Sequence, residues 1–257
     1  MSPSAEAFER LITIMNTLRA QCPWDRKQTI HTLRTLTIEE LYELTDAILD
    51  TNWDGIQEEV GDVLLHLVFY CTIAQEQGKF TIPSMIHALC DKLVHRHPHI
   101  YSNVIATDEA TVKLNWEKLK LKEGKTSVLQ GVPKGLPSIV KAIRLQEKAK
   151  QVGFEWEHKH NVWAKVQEEL EELQQAVISG NQAHIESELG DVLFSVINYA
   201  RYVQVDADIA LEKTNTKFAK RFTAMEALAL SKGYTVDELT LTQLDELWNI
   251  TKKDIPT

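Results

Sequence analysis

Two similar strings of twelve residues occur in this sequence, and no other feature restricts its fold as strongly. Residues 59–70 read EVGDVLLHLVFY and residues 188–199 read ELGDVLFSVINY. Each string begins with two acids, two further acids precede it, and every acid of the second copy lies 129 residues after its counterpart. The pairs are Glu40 and Glu169, Glu43 and Glu172, Glu59 and Glu188, and Asp62 and Asp191. The chain therefore contains a two-copy internal repeat.

The length of the chain and a segment rich in glycine and proline divide it into two similar halves. A chain of 257 residues suffices for two domains of ordinary size. Residues 121–138 read LKEGKTSVLQGVPKGLPS, and their three glycines and two prolines interrupt any helical pattern. We predict an N-terminal domain over residues 1–123, a linker over 124–137 and a C-terminal domain over 138–257.

Apolar residues recur with a helical period in both copies, which predicts an all-α fold. Ile56, Val60, Val63, Leu64 and Leu67 form one such stripe, and no segment shows the alternation of a strand. Neighbouring apolar side chains widen the stripe, as in a helical bundle or a subunit interface. The predicted helices span residues 4–20, 37–50, 55–77, 82–97, 108–123, 138–151, 162–178, 182–203, 206–232 and 240–253.

Composition excludes several classes of partner. A formal net charge of -9 disfavours broad binding to nucleic acid, because a phosphate backbone requires a basic surface. The longest apolar run, residues 63–74, is too short to cross a membrane. Three cysteines without a CxxC pair indicate a reducing compartment. We therefore expect a cytoplasmic protein without membrane or nucleic-acid partners.

The repeated acids predict a metal site. In the second half, Glu169 and Glu172 are one turn apart on one helix, Glu188 and Asp191 are one turn apart on the next, and a short turn joins the helices. Converging carboxylates next to an apolar segment require neutralisation, and Mg²⁺ prefers such oxygen ligands. The alternative is a solvated face or, for Glu40, a capping box that begins at Thr37.

Cations on the helix after the acids are candidates for binding phosphate. The second half offers Asn215, Lys217 and Arg221, and the first offers Lys92 and Arg96. Ion pairs or a cationic helix end would explain the same residues. Trp248 or Trp156 could stack on a nucleobase or simply pack in the core.

Eight segments together resemble the MazG family of nucleoside triphosphate pyrophosphohydrolases in its tandem two-domain form. They are CPWDRKQT at 22–29, EELYE at 39–43, EEVGD at 58–62, DKLVHRHPH at 91–99, VGFEW at 152–156, EELEE at 168–172, ELGD at 188–191 and NTKFAKRF at 215–222. The resemblance implies an all-α bundle completed by dimerisation, and hydrolysis of a nucleoside triphosphate to the monophosphate and pyrophosphate. It also implies Mg²⁺ ligands at all eight repeated acids, with Mn²⁺ as a possible substitute.

The residues fit that chemistry, and they distinguish the halves. Lys217 and Arg221 would neutralise the departing pyrophosphate, and Glu168 would orient the attacking water. Asp91 stands in the first half where the second has Asn215, and an acid there should weaken phosphate binding. We predict that the second half is the main catalytic unit. Two alternatives remain open: a pyrophosphohydrolase specific for dUTP or phosphoribosyl-ATP, and a non-catalytic, nucleotide-sensing helical dimer.

Overall fold

The computed structural model describes residues 2–102, 108, 111, 112, 116, 127–156 and 158–255, and these residues form helices without a β-strand. The all-α prediction is confirmed. Ten α-helices have both ends among the described residues: α1 Pro3–Gln21, α2 Ile30–Leu49, α3 Trp53–Glu76, α4 Ile82–Arg96, α5 Pro98–Tyr101, α6 Ser138–Gln151, α7 Lys159–Ser179, α8 Gln182–Tyr202, α9 Ala207–Ser231 and α10 Leu241–Asp254. Two short 3-10 helices, Asp25–Lys27 and Val236–Glu238, precede α2 and α10.

The chain divides into two compact units, Met1–Thr107 and Asp108–Thr257. We refer to them as the N-terminal unit and the C-terminal unit. The described end of the predicted linker, residues 127–137, consists of turns and irregular chain. The predicted helix over 108–123 lies largely outside the described residues.

The N-terminal unit is built around the hairpin of α2 and α3, with α1 packed against α3. Its core holds Met15 from α1, Leu33 from α2 and Phe69 from α3, all almost fully buried. Arg19 covers this core with its guanidinium 5.5 Å from the centre of the Phe69 ring, and its Nε donates to Glu76 Oε1 at 2.8 Å. Part of the apolar stripe predicted on α3 does not face this core, because Val60, Leu64 and Leu67 are exposed, and the core contacts come from positions further along the helix such as Phe69.

Helix α2 begins seven residues earlier than predicted, so the expected capping box at Thr37 is wrong. Thr29 is the N-cap, and its side chain accepts from the backbone N–H of Thr32. Thr37 lies inside the helix, where its hydroxyl donates to the carbonyl of Leu33 and shares a 2.8 Å hydrogen bond with Tyr70. Glu40 is therefore not needed as a cap.

The other described helix ends fall within three residues of their predictions, with two local differences. Asn52, three residues before the predicted start of α3, caps this helix, because its Oδ1 accepts from the backbone N–H of Gly55. Helix α4 ends at Arg96, since His97 leaves the helical conformation and Pro98 starts the separate turn α5. Within the described ranges, no helix is both long and apolar enough to span a bilayer.

The C-terminal unit repeats the hairpin with α7 and α8, which pack against each other as predicted. Only two residues join the helices. Gly180 adopts the left-handed conformation (φ 69°) that favours glycine, and Asn181 caps α8 by accepting from the N–H of His184. Helix α6 packs on α8, and α9 packs on α10. The tight turn brings the acids of α7 next to those of α8.

Candidate metal and nucleotide site

Three of the four predicted acids of the C-terminal unit meet between α7 and α8. Glu169, Glu172 and Glu188 each place a carboxylate oxygen within 4.8 Å of the other two. Glu169 is buried, Glu188 is half-buried and Glu172 is exposed. The fourth acid, Asp191, lies one turn after Glu188 and lines a cavity together with Glu169. The arrangement offers oxygen ligands only, which is the donor set of a hard divalent cation.

Two basic side chains flank these acids, and the sequence analysis did not identify either of them. Lys165 Nζ lies 2.7 Å from Glu168 Oε1 and 2.9 Å from Glu169 Oε1. His184 Nε2 lies 3.0 Å from Glu188 Oε1. The available signal was spacing, because Lys165 stands three and four residues before its two acids, and His184 stands four residues before Glu188.

These contacts alter the acid–base properties of the cluster. The pKa of Lys165 lies well above its ordinary value, because its ammonium donates hydrogen bonds to Glu168 and Glu169. The pKa of Glu172 is raised, first by loss of hydration and then by the charge of Glu169, while Lys165 acts in the opposite direction. The cluster is therefore only partly neutralised by its own protein environment.

A cavity of about 400 Å³ adjoins the acids. Lys165, Glu169 and Asp191 contribute polar groups to its wall, whereas most of the lining surface is apolar. The remaining lining residues come from the chain before α6, from α6 itself, from the loop before α7 and from α7 and α8: Leu129, Leu145, Gln146, Ala149, Phe154, Glu155, Trp156, Val162, Phe194, Ser195, Asn198 and Arg201. An apolar cavity beside carboxylates and an ammonium suits a ligand with a flat apolar end and an anionic end.

A hydrogen-bonded chain fixes one side of this cavity. Arg201 donates from Nη1 to Glu155 and from Nη2 to Asn198 Oδ1, the latter at 2.8 Å. Burial would raise the pKa of Glu155, but the hydrogen bond and charge of Arg201, with the charge of Lys150, hold that pKa below its usual value. On α6, Gln146 Nε2 donates to the backbone carbonyl of Phe194 at 2.8 Å. These polar side chains are thus held in defined orientations.

The N-terminal unit contains the equivalent acids without the equivalent bases. Oxygens of Glu40, Glu43 and Glu59 lie within 4.8 Å of one another. The residues 129 positions before Lys165 and His184 are Leu36 and Gly55, which carry no charge. Burial and neighbouring acids raise the pKa of Glu40 and of Glu59, and the charge of Asp62 contributes to both shifts.

The N-terminal unit also differs from the C-terminal unit at positions that correspond to the lining of the cavity. The counterparts of Ser195 and Asn198 are His66 and Phe69. His66 is 7% exposed and Phe69 is 2% exposed, and Phe69 belongs to the core around Met15 and Leu33. Large buried side chains therefore occupy the positions that line the cavity in the other unit.

The predicted phosphate-binding residues of the C-terminal unit lie on α9, outside the lining of this cavity. Lys217 is half-buried, and Asn215 Nδ2 donates to Glu212 Oε2 at 3.1 Å. Arg221 is buried, and its Nε and Nη2 both donate to the carbonyl of Ile255, at 3.0 and 2.8 Å. A phosphate could use this guanidinium only after Ile255 releases it.

The other predicted ligand contacts lie in separate surroundings. Trp248 packs beside Leu247, Met225 and Ala229, with its ring 5.3 Å from that of Phe218. Lys92 is exposed on α4, and Arg96 is half-buried in the last turn of the same helix. The roles assigned to these side chains stay predictions.

Lys165 offers a direct test of the electrostatics of the acidic cluster. Without a divalent cation, replacement of Lys165 by Met should lower the free energy of unfolding by about 1–3 kcal/mol, because Glu169 is buried and loses its partner. Added Mg²⁺ should restore more stability to the variant than to the wild type. Thermal melting with EDTA and with Mg²⁺ measures both effects.

The matched control is Lys150→Met, which removes a pair with Glu155 whose lysine is more than half exposed and should cost less than about 1 kcal/mol. Equal melting temperatures for Lys165→Met and the wild type, with and without Mg²⁺, would contradict the assigned role of Lys165.

Comparisons with known proteins assign both hairpins to one family. Residues 28–101 and 157–224 each match the model of the MazG nucleotide pyrophosphohydrolase domain. The chain is 40% identical to a nucleoside triphosphate pyrophosphohydrolase/pyrophosphatase MazG of Thermotoga maritima, with 98% of each chain aligned. It is 38% identical to a nucleoside triphosphate pyrophosphohydrolase of Escherichia coli K12, with 96% of this chain and 97% of that one aligned. It is also 40% identical to an uncharacterized Bacillus subtilis protein, YabN, across 96% of this chain and 52% of the relative.

Proposed function

Because the chain belongs to the MazG nucleotide pyrophosphohydrolase family, we propose that it hydrolyses nucleoside triphosphates to nucleoside monophosphates and pyrophosphate. One observation on the residues of this chain itself supports the proposal. In the C-terminal unit, three converging carboxylates adjoin a largely apolar cavity, and Glu169 belongs to both. Such a site can hold the phosphates at the acids and the base in the cavity.

The acids fit Mg²⁺, with Mn²⁺ as a substitute. Glu169, Glu172 and Glu188 supply three close oxygens, and Asp191 on the same helix face as Glu188 completes the set. All four donors are carboxylates, the ligand type that hard divalent cations select. When bound, the metal supplies positive charge that polarises the phosphoryl oxygens. The proposal assigns the corresponding acids of the N-terminal unit, Glu40, Glu43, Glu59 and Asp62, to a second metal site.

The surrounding side chains then position the substrate and the water. Glu168 is exposed beside the buried Glu169, so it can accept a proton from a water that approaches the α-phosphate. Lys165 holds both carboxylates in place through its two ion pairs. Lys217, half-buried on α9, is the proposed partner of the departing pyrophosphate, and Asn215 adds a neutral contact. Arg221 can also bind the pyrophosphate, but only after its hydrogen bonds to the carbonyl of Ile255 are broken.

The cavity is suited to a nucleobase of any kind. Its volume falls in the range of small-molecule sites, and its lining is mostly apolar. An apolar wall discriminates weakly between flat rings of similar size. We therefore include broad base tolerance in the proposal. Trp248 remains a second candidate for contact with the base.

Turnover belongs to the C-terminal unit in this proposal. The N-terminal unit has acids but places buried His66 and Phe69 where the cavity would be, and it has no counterpart of Lys165. Its acids can still attract a cation, and Lys92 and Arg96 would be the residues available for an anion. Its role is then chiefly structural.

A homodimer is also part of the proposal, because both units expose the same apolar face. Five positions of the α2–α3 hairpin recur at the 129-residue offset on the α7–α8 hairpin, and all ten side chains are exposed. They are Leu41, Ile48, Val60, Leu64 and Leu67, and Leu170, Val177, Leu189, Leu193 and Val196. Repeated apolar surface of this kind is typical of subunit interfaces.

Replacement of Leu193 by Glu should weaken this dimer, because a carboxylate would be desolvated at the interface. Sedimentation at micromolar concentration should then show a dimer for the wild type and a monomer for the variant. Leu230→Glu, at an exposed position on α9, is the control and should stay dimeric. A monomeric wild type would remove the dimer from the proposal.

A cytoplasmic location completes the proposal, supported by the absence of a disulfide among Cys22, Cys71 and Cys90 in the described part of the chain.

Product analysis tests the reaction. The full chain is incubated with Mg²⁺ and each of the ribo- and deoxynucleoside triphosphates, with dUTP and phosphoribosyl-ATP included in the panel, and pyrophosphate is separated from orthophosphate. Pyrophosphate with the monophosphate is the expected result across the panel. Turnover of dUTP alone, or of phosphoribosyl-ATP alone, would replace the broad activity with a specific one. Binding without turnover would favour the nucleotide-sensing dimer, and orthophosphate would refute cleavage at the α-phosphate.

A further inference from the structure

The strongest signal beyond the proposed reaction is the orientation of one amide in the cavity. Asn198 lines the cavity on α8 and is 9% exposed. Its Oδ1 accepts from Arg201 Nη2 at 2.8 Å. A guanidinium has only donors, so the amide atom that faces it must be the oxygen. The nitrogen is therefore the other end of the amide.

This nitrogen is an available hydrogen-bond donor. Among the residues that the structure describes, none accepts from Asn198 Nδ2, and Nδ2 is not among the fully enclosed atoms that lack partners. Glu155 holds Arg201 from the other side, so the amide cannot reverse without losing the Arg201 contact. A buried site with a fixed donor favours ligands that present an acceptor there.

The position along α8 indicates which part of a nucleotide meets this donor. Asp191, Ser195 and Asn198 line one face of the helix, and seven residues separate the first from the last. At the rise of an α-helix, this places Asn198 about 10 Å along the axis from the acid. If the phosphates lie at the acids, the group beside Asn198 is at the edge of the base farthest from the ribose. In a pyrimidine this edge carries the substituent at position 4, and in a purine it carries the substituent at position 6.

We infer that Asn198 is a specificity-determining residue that reads this distal edge and favours bases with a carbonyl oxygen there. Uracil, thymine, guanine and hypoxanthine have that oxygen, whereas cytosine and adenine have an amino group that would face the donor with another donor. The inference rests on the proposed function for the placement of the phosphates. It adds a preference to an otherwise tolerant cavity.

Asn198→Asp gives the sharpest test, because it keeps the shape and the Arg201 contact and replaces the donor by an acceptor. The readout is the ratio of kcat/KM for two matched pairs, UTP with CTP and ITP with ATP, whose members differ in this substituent and in the proton on the adjacent ring nitrogen. Any uniform loss caused by the added charge cancels in a ratio. The wild type should favour UTP and ITP, and the variant should shift both ratios towards CTP and ATP by at least about tenfold. Asn16→Asp, at an exposed position on α1, is the control and should leave both ratios unchanged.

Binding separates this inference from the reaction itself. Calorimetry with α,β-imido analogues of the same four nucleotides measures the preference without hydrolysis. Normal hydrolysis with both ratios within twofold of the wild type in Asn198→Asp would overturn the inference and leave the reaction standing. The expected binding ratios without any hydrolysis would support the inference and refute the reaction. Absence of binding by all four analogues would refute both.

Discussion

Glu169→Gln should abolish hydrolysis of nucleoside triphosphates, with kcat reduced by about a thousandfold or more. Glu169 is the buried member of the carboxylate cluster and also lines the cavity. The amide keeps the size of the side chain but removes the negative charge that would hold the metal next to the phosphates. Lys165 retains its pair with Glu168, so the helix should stay folded. Initial rates at saturating Mg²⁺ and nucleotide measure the loss.

The matched control is Glu40→Gln, which makes the same change at the equivalent position of the N-terminal unit. Its turnover should stay within about twofold of the wild type if the C-terminal unit performs the reaction. The opposite pattern, with turnover lost in Glu40→Gln and kept in Glu169→Gln, would show that the N-terminal unit performs the reaction and that our assignment is wrong. Losses of equal size in both variants would show that the two units act together.

The double substitution Ser195→His and Asn198→Phe should raise KM for every nucleoside triphosphate by about a hundredfold. It installs in the C-terminal unit the two residues that fill the corresponding positions of the N-terminal unit, where His66 and Phe69 are buried. The added volume has a cavity of about 400 Å³ to enter, so the fold should tolerate it. The base would lose its binding surface, while the acids remain in place.

Thermal melting and Mg²⁺ binding are the controls for this double variant. Both should remain close to those of the wild type, since neither substitution touches Glu169, Glu172 or Glu188. An unchanged KM with a folded protein would show that the base binds elsewhere, and Trp248 would then be the first candidate. A large fall in melting temperature would instead show that the cavity is needed for packing.

The fold class followed from the sequence because its determinants are local. Helical periodicity and turn residues report on neighbouring positions, and the Ser179-Gly180-Asn181 turn reappears in the structure as a glycine C-cap followed by an asparagine N-cap. The convergence of Glu169, Glu172 and Glu188 followed for the same reason. Their spacing on two adjacent helices left one compact arrangement.

The same local reasoning failed where contacts with residues distant in the sequence determine the structure. Thr37 has the sequence context of a capping box, yet its hydroxyl contacts Tyr70 from another helix and α2 continues through it. Arg221 has the spacing of a phosphate ligand, yet a carbonyl 34 residues later occupies its guanidinium. The cavity was not predicted, because Leu129, Gln146 and Asn198 come from separate segments that only the tertiary fold brings together.

The position of the attacking water tests the central claim most directly. Hydrolysis of a nucleoside triphosphate by the full chain in ¹⁸O-labelled water, followed by mass spectrometry of both products, shows which phosphorus is attacked. Our account predicts one ¹⁸O atom in the nucleoside monophosphate and none in the pyrophosphate, with no labelled product from Glu169→Gln. Label in the pyrophosphate, or label released as orthophosphate, would contradict attack at the α-phosphate and with it the assigned reaction.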